Sequence, residues 1–382
     1  MGKGPNNFEN VKPKIGITIG DVNGIGVEVI VKALSNPDIK EILTPVIFGN
    51  SAIMKQVAAD LTVEDLHFNI IPSAAEAADG KINLVETGEA GLQRMPGMKS
   101  AQAGKAAVAA LEAGVKAAQE GQIDALVTAP IDKETAQSDD FHFIGHTEFL
   151  EDRFAAEGEK ALMVLADGGL RVALVTTHVP LHDVSKLVTR ERVEDAIKRY
   201  NQVLKMDFGC ERPKIAVLSL NPHCGDGGVI GREEEEQIIP AIEECQRAGI
   251  LAFGPIAADG LFGSGAYMNF DGILAMYHDQ GLAPFKALTR SGGTNFTAGL
   301  QVVRTSPAHG TAYDKAGKGS ADEASLKDAI YSAIDILRRR QRFLEAAANP
   351  LHIREKVQKE GRRPRPVETP SEPDAKDLAA AE

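Results

Sequence analysis

Three histidines of this 382-residue chain each follow a short apolar run directly: His178 in LVTTHVPL, His223 in LSLNPHCGDGG and His278 in LAMYHDQG. Neutral imidazole suits zinc and other borderline divalent ions. Three protein nitrogens with open positions left over are the pattern of a catalytic metal site rather than a structural one. Taken singly, each reads better as a hydrogen-bonded loop histidine, and scattered ligands make spacing weak support. Their equivalent places after strand-like runs, among Pro, Asn, Asp and Gly, turn the balance toward a shared ion. Asp279 is a partner that orients His278 or a further ligand, or equally a cap for the next segment. His67 and His352 are assigned to surface or packing, and His142 and His182 are given no role.

A second group suits an anion. In TAPIDKETAQSDDFHFIGHTEFL, Gly145 is a turn feeding a helical pattern, with His146 and Thr147 at its start. A helix N-terminus offers free N–H groups and a favourable dipole to phosphate. His146 and Thr147 add side-chain donors, although Thr147 could equally make a simple capping box. Further on come Lys286, Asn295 and Arg304: a point charge, an amide donor and a planar fork suited to phosphate or carboxylate. Arg304 follows the apolar stretch GLQVV, where a buried position requires an anionic partner. Three surface residues with no shared role remain the alternative, and spacing does not separate the two.

Glycine-rich segments punctuate the chain. Gly20-Asp21-Val22-Asn23-Gly24-Ile25-Gly26 follows the first apolar run but lacks the G-x-G-x-x-G spacing of a dinucleotide fingerprint. It reads as a strand-to-helix turn near the active crevice. Asn221–Gly228 is another such loop and would set His223. The segment from Arg304 to Gly319, RTSPAHGTAYDKAGKG, is by itself only a glycine-rich surface loop.

The elements that must position these residues alternate. Lys14–Ile19, Thr44–Phe48, Ala125–Thr128, Leu170–Thr176, Lys214–Leu220 and Gly272–Met276 read as short strands. Helical patterns cover Val27–Leu34, Ala101–Glu120, Thr189–Leu204, Glu233–Ala248 and Ser325–Ala348. Apolar, unalternated strands between helices imply an α/β fold with a mainly parallel sheet covered on both faces. The ligand crevice is then expected beyond the carboxyl ends of the strands. The length exceeds what one core usually organises, so two lobes are expected. A net charge of −12 argues against general nucleic-acid affinity. Three cysteines, Cys210, Cys224 and Cys245, form no C-x-x-C pair and imply neither a disulfide framework nor a cysteine zinc site. With no signal-peptide pattern and no long apolar run, the expected compartment is the cytoplasm, with no membrane span.

The segments ITIGDVNGIG, TAPIDK, GHTEFL, TTHVPL, LNPHCGDGG, GPIAADGLF, AMYHDQGLAPFK and RTSPAHGTA occur in the order seen in the 4-hydroxythreonine-4-phosphate dehydrogenase family. The resemblance spans roughly residues 14–340. The loop from His309 to Gly319 resembles the HG(S/T)A-x-D-x-AGKG loop of the isocitrate and isopropylmalate dehydrogenase fold, which receives the adenosine part of a nicotinamide cofactor. The family implies two α/β/α lobes with the active site in the cleft between them. Residues 14–140 plus 300–348 would form the cofactor-side lobe and residues 141–299 the metal, substrate and dimerisation lobe. Residues 1–13 would be a flexible N-terminus and 349–382 a charged, Pro-rich, disordered tail.

By the same resemblance, His178, His223 and His278 would hold one divalent metal, such as zinc, cobalt or magnesium. His146, Thr147, Lys286, Asn295 and Arg304 would contact substrate. His309, Gly310, Thr311, Ala312 and Asp314 would bind NAD, or alternatively NADP. Lys286 and Asp259 are the catalytic candidates, and for Asp259 a loop-capping role is equally open. The family implies a homodimer with interfacial sites. It also implies oxidation of 4-phosphooxy-L-threonine, with loss of carbon dioxide to give 3-amino-2-oxopropyl phosphate in vitamin B6 synthesis. The chain has GDVNGIG for the commoner GEPAGIG, Gly260 for Thr and Cys224 for Ala, which leaves the ligands intact and the substrate less defined. The nearest rival is a sister dehydrogenase of 4-phospho-D-threonate or 4-phospho-D-erythronate. A phosphate acyltransferase of similar fold and a non-catalytic metabolite-binding protein rank lower.

Overall fold

The computed structural model describes residues 11–137, 141–143, 145–155, 160–289 and 292–348. Most of the expected flexible N-terminus, the expected C-terminal tail and His352 lie outside the described residues. Pro13, at the end of that N-terminus, is buried, and its carbonyl accepts the amide of Thr44.

Twelve strands form one sheet: β1 Lys14–Thr18, β2 Thr44–Gly49, β3 Phe68–Ile71, β4 Ile82–Glu86, β5 Ala125–Thr128, β6 Leu162–Asp167, β7 Leu170–Leu174, β8 Lys214–Leu218, β9 Leu251–Ile256, β10 Gly272–Ala275, β11 Thr294–Ala298 and β12 Val303–Pro307. Their spatial order is β3-β4-β2-β1-β5-β12-β11-β6-β7-β10-β8-β9. β3 through β12 are mutually parallel, and so are β7, β10, β8 and β9. Between them β12–β11, β11–β6 and β6–β7 pair antiparallel. Three reversals make the two parallel groups run in opposite directions.

This changes one expectation. With the groups opposed, the carboxyl ends of their strands lie at opposite rims, so a single strand-end crevice is not the geometry. The sequence reading missed β6, β11 and β12, the strands that turn the direction. Their signal was the Asp167-Gly168-Gly169 turn between two apolar runs, a hairpin signature, and alternation in TNFTA.

The remaining elements form for local reasons. β1, β2 and β5 bury nearly every residue, as strands covered on both faces must. The helix Ala101–Gln119 starts at Ser100, whose Oγ accepts the Ala103 amide. The expected helix over 233–248 is instead a wide turn, Glu234–Ile238, followed by a helix, Ile239–Arg247. Pro240 has no amide hydrogen to continue the regular ladder there. The helix Ala324–Ala348 packs on β12, β11 and β5.

Gly104, inside the helix Ala101–Gln119, lets the loop carrying Lys133 approach: a Cβ there would lie 1.9 Å from the carbonyl oxygen of Thr135. Two effects oppose in Gly104→Ala. Helix propensity would gain about 1 kcal/mol, and overpacking against rigid backbone would cost about 1–3 kcal/mol. The clash is with main chain, so the expected outcome is a lower urea midpoint. A higher midpoint would show that the loop yields freely.

Candidate active site

Register explains where the polar side chains meet. Successive residues of a strand face opposite sides. Thr297 pairs with Arg304 and Asn295 with Ser306, while Arg304 pairs with Leu126 on β5, two residues before Thr128. Asn295, Thr297, Arg304, Ser306 and Thr128 therefore share one face at the middle of the sheet. A cleft of about 190 Å³ opens over this floor. Lys133, His146, Thr147, Glu148, His178, His309 and Gly310 complete its walls.

Arg304 dominates the floor. It is 2% exposed. Its guanidinium donates to Thr128 Oγ1 at 3.1 and 2.6 Å and to Thr297 Oγ1 at 2.8 Å. Among the described residues no carboxylate forms an ion pair with it, although Glu148 stands near enough to matter electrostatically. Burial pulls its pKa down to about 9, with Glu148 acting the other way. Buried charge without a counterion is costly, so an anion placed against this guanidinium would be stabilising.

His146 opens the helix His146–Phe154, whose N-terminus faces the cleft. Burial, then the charges of Arg304 and Lys133, holds its imidazole well below the usual 6.5, so it is neutral at pH 7. No side-chain cap closes this helix, so Thr147 does not make the capping box and remains at the cleft wall. Four buried polar atoms of the lining have no hydrogen-bond partner among the described residues: His146 Nε2, Glu148 Oε2, Asn295 Oδ1 and His309 Nε2. Unmatched buried groups converging on one space mark a binding site rather than a core.

His178 borders both this cleft and a neighbouring open groove lined by Tyr277, His278 and Asp279. The rings of His178 and His278 lie 5.8 Å apart, centre to centre. His178 Nδ1 is 3.3 Å from Glu148 Oε1, and His278 Nδ1 is 2.7 Å from Asp279 Oδ1. A carboxylate on each Nδ1 leaves both Nε2 atoms available, the arrangement that orients metal-binding histidines. The bond to His178 also holds the Glu148 carboxyl below its usual range, against burial.

His223 follows β8, the strand beside β10, and is exposed. Six consecutive residues, His223 to Gly228, have positive φ, from 46° at Asp226 to 87° at Gly228. Glu234 braces this run by accepting the amides of Leu220 and Asn221 at 2.8 and 2.7 Å. Within the single chain, no three of the described His, Cys, Asp or Glu side chains gather around a common point suited to an ion.

The loop carrying His309 to Asp314 docks on the Gly20–Gly26 turn. Ile25 donates its amide to the Thr311 carbonyl at 2.9 Å, and Tyr313 donates to Asp21 Oδ2 at 2.8 Å. A Cβ at Gly24 would lie 2.7 Å from that same carbonyl, which explains the glycine. Burial raises the Asp21 carboxyl pKa. Burial also lowers the His309 imidazole. Ala312 takes a left-handed φ of 44°, and Asp314 is exposed.

Two catalytic candidates stand apart from the cleft in the single chain. Lys286 is exposed in the last turn of the helix His278–Leu288 and does not line the cleft. Asp259 is exposed, and its Oδ1 accepts the next amide, Gly260, at 2.8 Å, as a loop-capping aspartate would. The sequence reading gave no role to Lys133, Glu148, Thr128 or Thr297. Lys133 and Glu148 were visible as charges flanking Gly145-His146-Thr147. The threonines were hidden, because their role depends on register.

A central-sheet cleft with a buried arginine on its floor and a carboxylate-braced histidine pair at its edge has the features of a small-molecule site. The family model described as pyridoxal phosphate biosynthetic protein PdxA matches residues 41–333. A protein of Bacteroides thetaiotaomicron named 4-hydroxythreonine-4-phosphate dehydrogenase is 51% identical over 344 residues, covering 90% of this chain and 94% of that one. A relative from Oceanobacillus iheyensis, provisionally named D-threonate 4-phosphate dehydrogenase, is 39% identical, covering 85% and 98%. The crystal structure of 4-hydroxythreonine-4-phosphate dehydrogenase from Klebsiella pneumoniae matches with a TM-score of 0.75 and 33% identity, covering 86% of this chain and 99% of that one. The chain belongs to the PdxA family of pyridoxal phosphate biosynthetic proteins.

Two outcomes are expected from the charges. Inorganic phosphate should raise wild-type stability, by about 2.7 kcal/mol at a hundred times its dissociation constant. Arg304→Met should abolish that gain in thermal melts at matched phosphate. The depressed His146 and His309 imidazoles give the second. Below the ordinary value near 6.5 the unfolded chain binds protons that the folded chain refuses, so stability falls as pH falls through that value. His146→Gln should flatten this acid slope in urea titrations at a series of pH values, and an unchanged slope would contradict the neutral assignment.

Proposed function

We propose that this chain is an NAD-linked, divalent-metal-dependent dehydrogenase that oxidises 4-phosphooxy-L-threonine at C3. The resulting β-keto acid loses carbon dioxide to leave 3-amino-2-oxopropyl phosphate, a step in making pyridoxal phosphate. The observation that carries this reading is the buried Arg304, which has no carboxylate ion-pair partner among the described residues, in a cleft that the braced His178 also borders. The 51% identical relative bears the corresponding name.

In this reading Arg304, His146, Thr147 and Asn295 bind the anionic end of the substrate. Neutral His146 donates or accepts a hydrogen bond without adding to the positive charge, and Lys133 contributes long-range attraction. His178 and His278 hold the metal through their Nε2 atoms, and His223 completes the set from the same chain or from a second copy. When bound, such an ion is a Lewis acid that makes a hydroxyl more acidic and polarises a ketone. The His309–Asp314 loop, on the cofactor-side lobe of residues 14–140 plus 300–348, would hold NAD, which when bound would serve as the hydride acceptor. Residues 141–299 then form the metal and dimerisation lobe.

The dimer is part of the proposal. Leu181, Val229 and Met268 are 74, 83 and 76% exposed and all come from the half of the chain that carries the three histidines. Large apolar side chains left so open suit a self-association face. Lys286 and Asp259 join the site as catalytic groups across that face. Three free cysteines suit a reducing, cytoplasmic setting. No described helix is long and apolar enough to cross a membrane.

The test is an NADH assay on chelator-treated protein with metals added back. Activity should vanish on chelation and return with a divalent ion. Turnover of 4-phosphooxy-L-threonine should exceed that of 4-phospho-D-threonate, the substrate type suggested by the Oceanobacillus relative's name. No turnover of the former after metal return would remove the substrate assignment. Glu148→Gln should weaken metal affinity by about 10–100-fold, the usual cost of losing a carboxylate behind a histidine ligand, measured by metal titration.

A further inference from the structure

The Glu28–Arg94 pair has no part in the chemistry above, yet it is the most buried ion pair among the described residues, with side chains 2 and 3% exposed. Glu28 lies in the first turn of the helix Gly26–Leu34. Its Oε1 accepts from Arg94 Nη2 and from the amide of Gly317, both at 2.5 Å. Arg94 also donates through Nε to the Val22 carbonyl at 2.8 Å. One carboxylate oxygen thus ties together the glycine turn, the segment after β4 and the far end of the His309–Gly319 loop.

Neighbouring bonds repeat the pattern. Asn23 Oδ1 accepts the Met95 amide at 2.7 Å, and Asn23 Nδ2 donates to the Met98 carbonyl at 2.8 Å. Lys32 Nζ, on the same helix as Glu28, donates to the carbonyls of Gly319 and Ala321 at 2.7 and 2.6 Å. Segment 94–98 is pinned between the turn and the loop, and the pins meet at Glu28. None of these residues lines the anion cleft.

We infer that Glu28 is a positioning residue for the nicotinamide-cofactor loop, acting through Arg94 and the Gly317 amide. This rests on the reading of that loop as the cofactor site. The reasoning is electrostatic. A buried carboxylate is tolerated only while paired, and Glu28 Oε2 is already buried without a partner. Glu28→Gln keeps the shape and turns one charge-assisted acceptor into a neutral amide, which weakens the grip on Gly317. The loop should then sample positions in which His309 to Asp314 are no longer set for the cofactor, while the Arg304 floor is untouched.

The experiment titrates the full-length protein with NADH by fluorescence and with inorganic phosphate by calorimetry, for wild type, Glu28→Gln and Glu28→Asp. The expected result is a tenfold or greater rise in the NADH dissociation constant for Glu28→Gln, partial recovery in Glu28→Asp, and a phosphate constant within twofold of wild type. Should Glu28→Gln fail to fold, Arg94→Lys carries the same test, because it keeps the charge and loses the fork. NADH binding unchanged in a folded variant overturns the proposal alone, as does equal weakening of both ligands. A wild type that binds neither NADH nor NADPH overturns the cofactor reading and this proposal with it.

Discussion

The cationic head of Arg304, sealed into the middle of a sheet and hydrogen-bonded among the described residues to threonine hydroxyls, is the constraint on which the site depends. Its two hydroxyl partners fix the guanidinium in place but neutralise nothing. Burial accounts for its depressed pKa, and its charge, after burial, helps to keep His146 neutral. A polar floor of this kind would be a defect in a sheet whose purpose was only to pack. In the proposed role, the cost of burial would be offset by an anion, because the incoming charge would meet donors already ordered and already dry.

The antiparallel joint makes that floor possible. Had β12, β11 and β6 continued the parallel order, helices would cover both faces, and a polar stripe would have nowhere to open. Direct hairpin connections between β6 and β7 and between β11 and β12 need no crossover helix. The central face is left free to be roofed by loops. The loops that do so carry His146, His178 and His309, each from a different part of the chain.

Much of this was legible in the residues, though unevenly. The strands β1, β2, β5, β8 and β10 and the long helices follow from apolar runs and helical periodicity, with ends shifted by a residue or two. His146, Thr147, Asn295 and Arg304 were singled out with Lys286 as candidates for an anion site, with unrelated surface residues the equal alternative, and these four line one cleft while Lys286 does not. The histidines were readable as a group, and two of them meet. The parts that stayed hidden depend on pairing. Thr128 and Thr297 are ordinary strand residues until register sets them beside Arg304. The reversal of strand direction shows in the sequence only as the Asp167-Gly168-Gly169 turn and the alternation in TNFTA, which are weak beside the long apolar runs. Lys286 and Asp259 show the opposite limit, since residue type suggested chemistry and the single chain leaves both in solvent.

The left-handed run beginning at His223 carries a lesson about tolerance. Three of its members, His223, Cys224 and Asp226, are not glycine, and each carries a steric cost of about 1–2 kcal/mol in that conformation. The imidazole's location is therefore dictated by main-chain coiling, with Glu234 as the brace, more than by contacts of the ring itself. A branched residue such as valine or isoleucine anywhere along this stretch would uncoil it and carry the histidine away, even though such a change touches neither ring nor ligand. Sequence drift in the family should accordingly be narrow here in shape and broad in polarity.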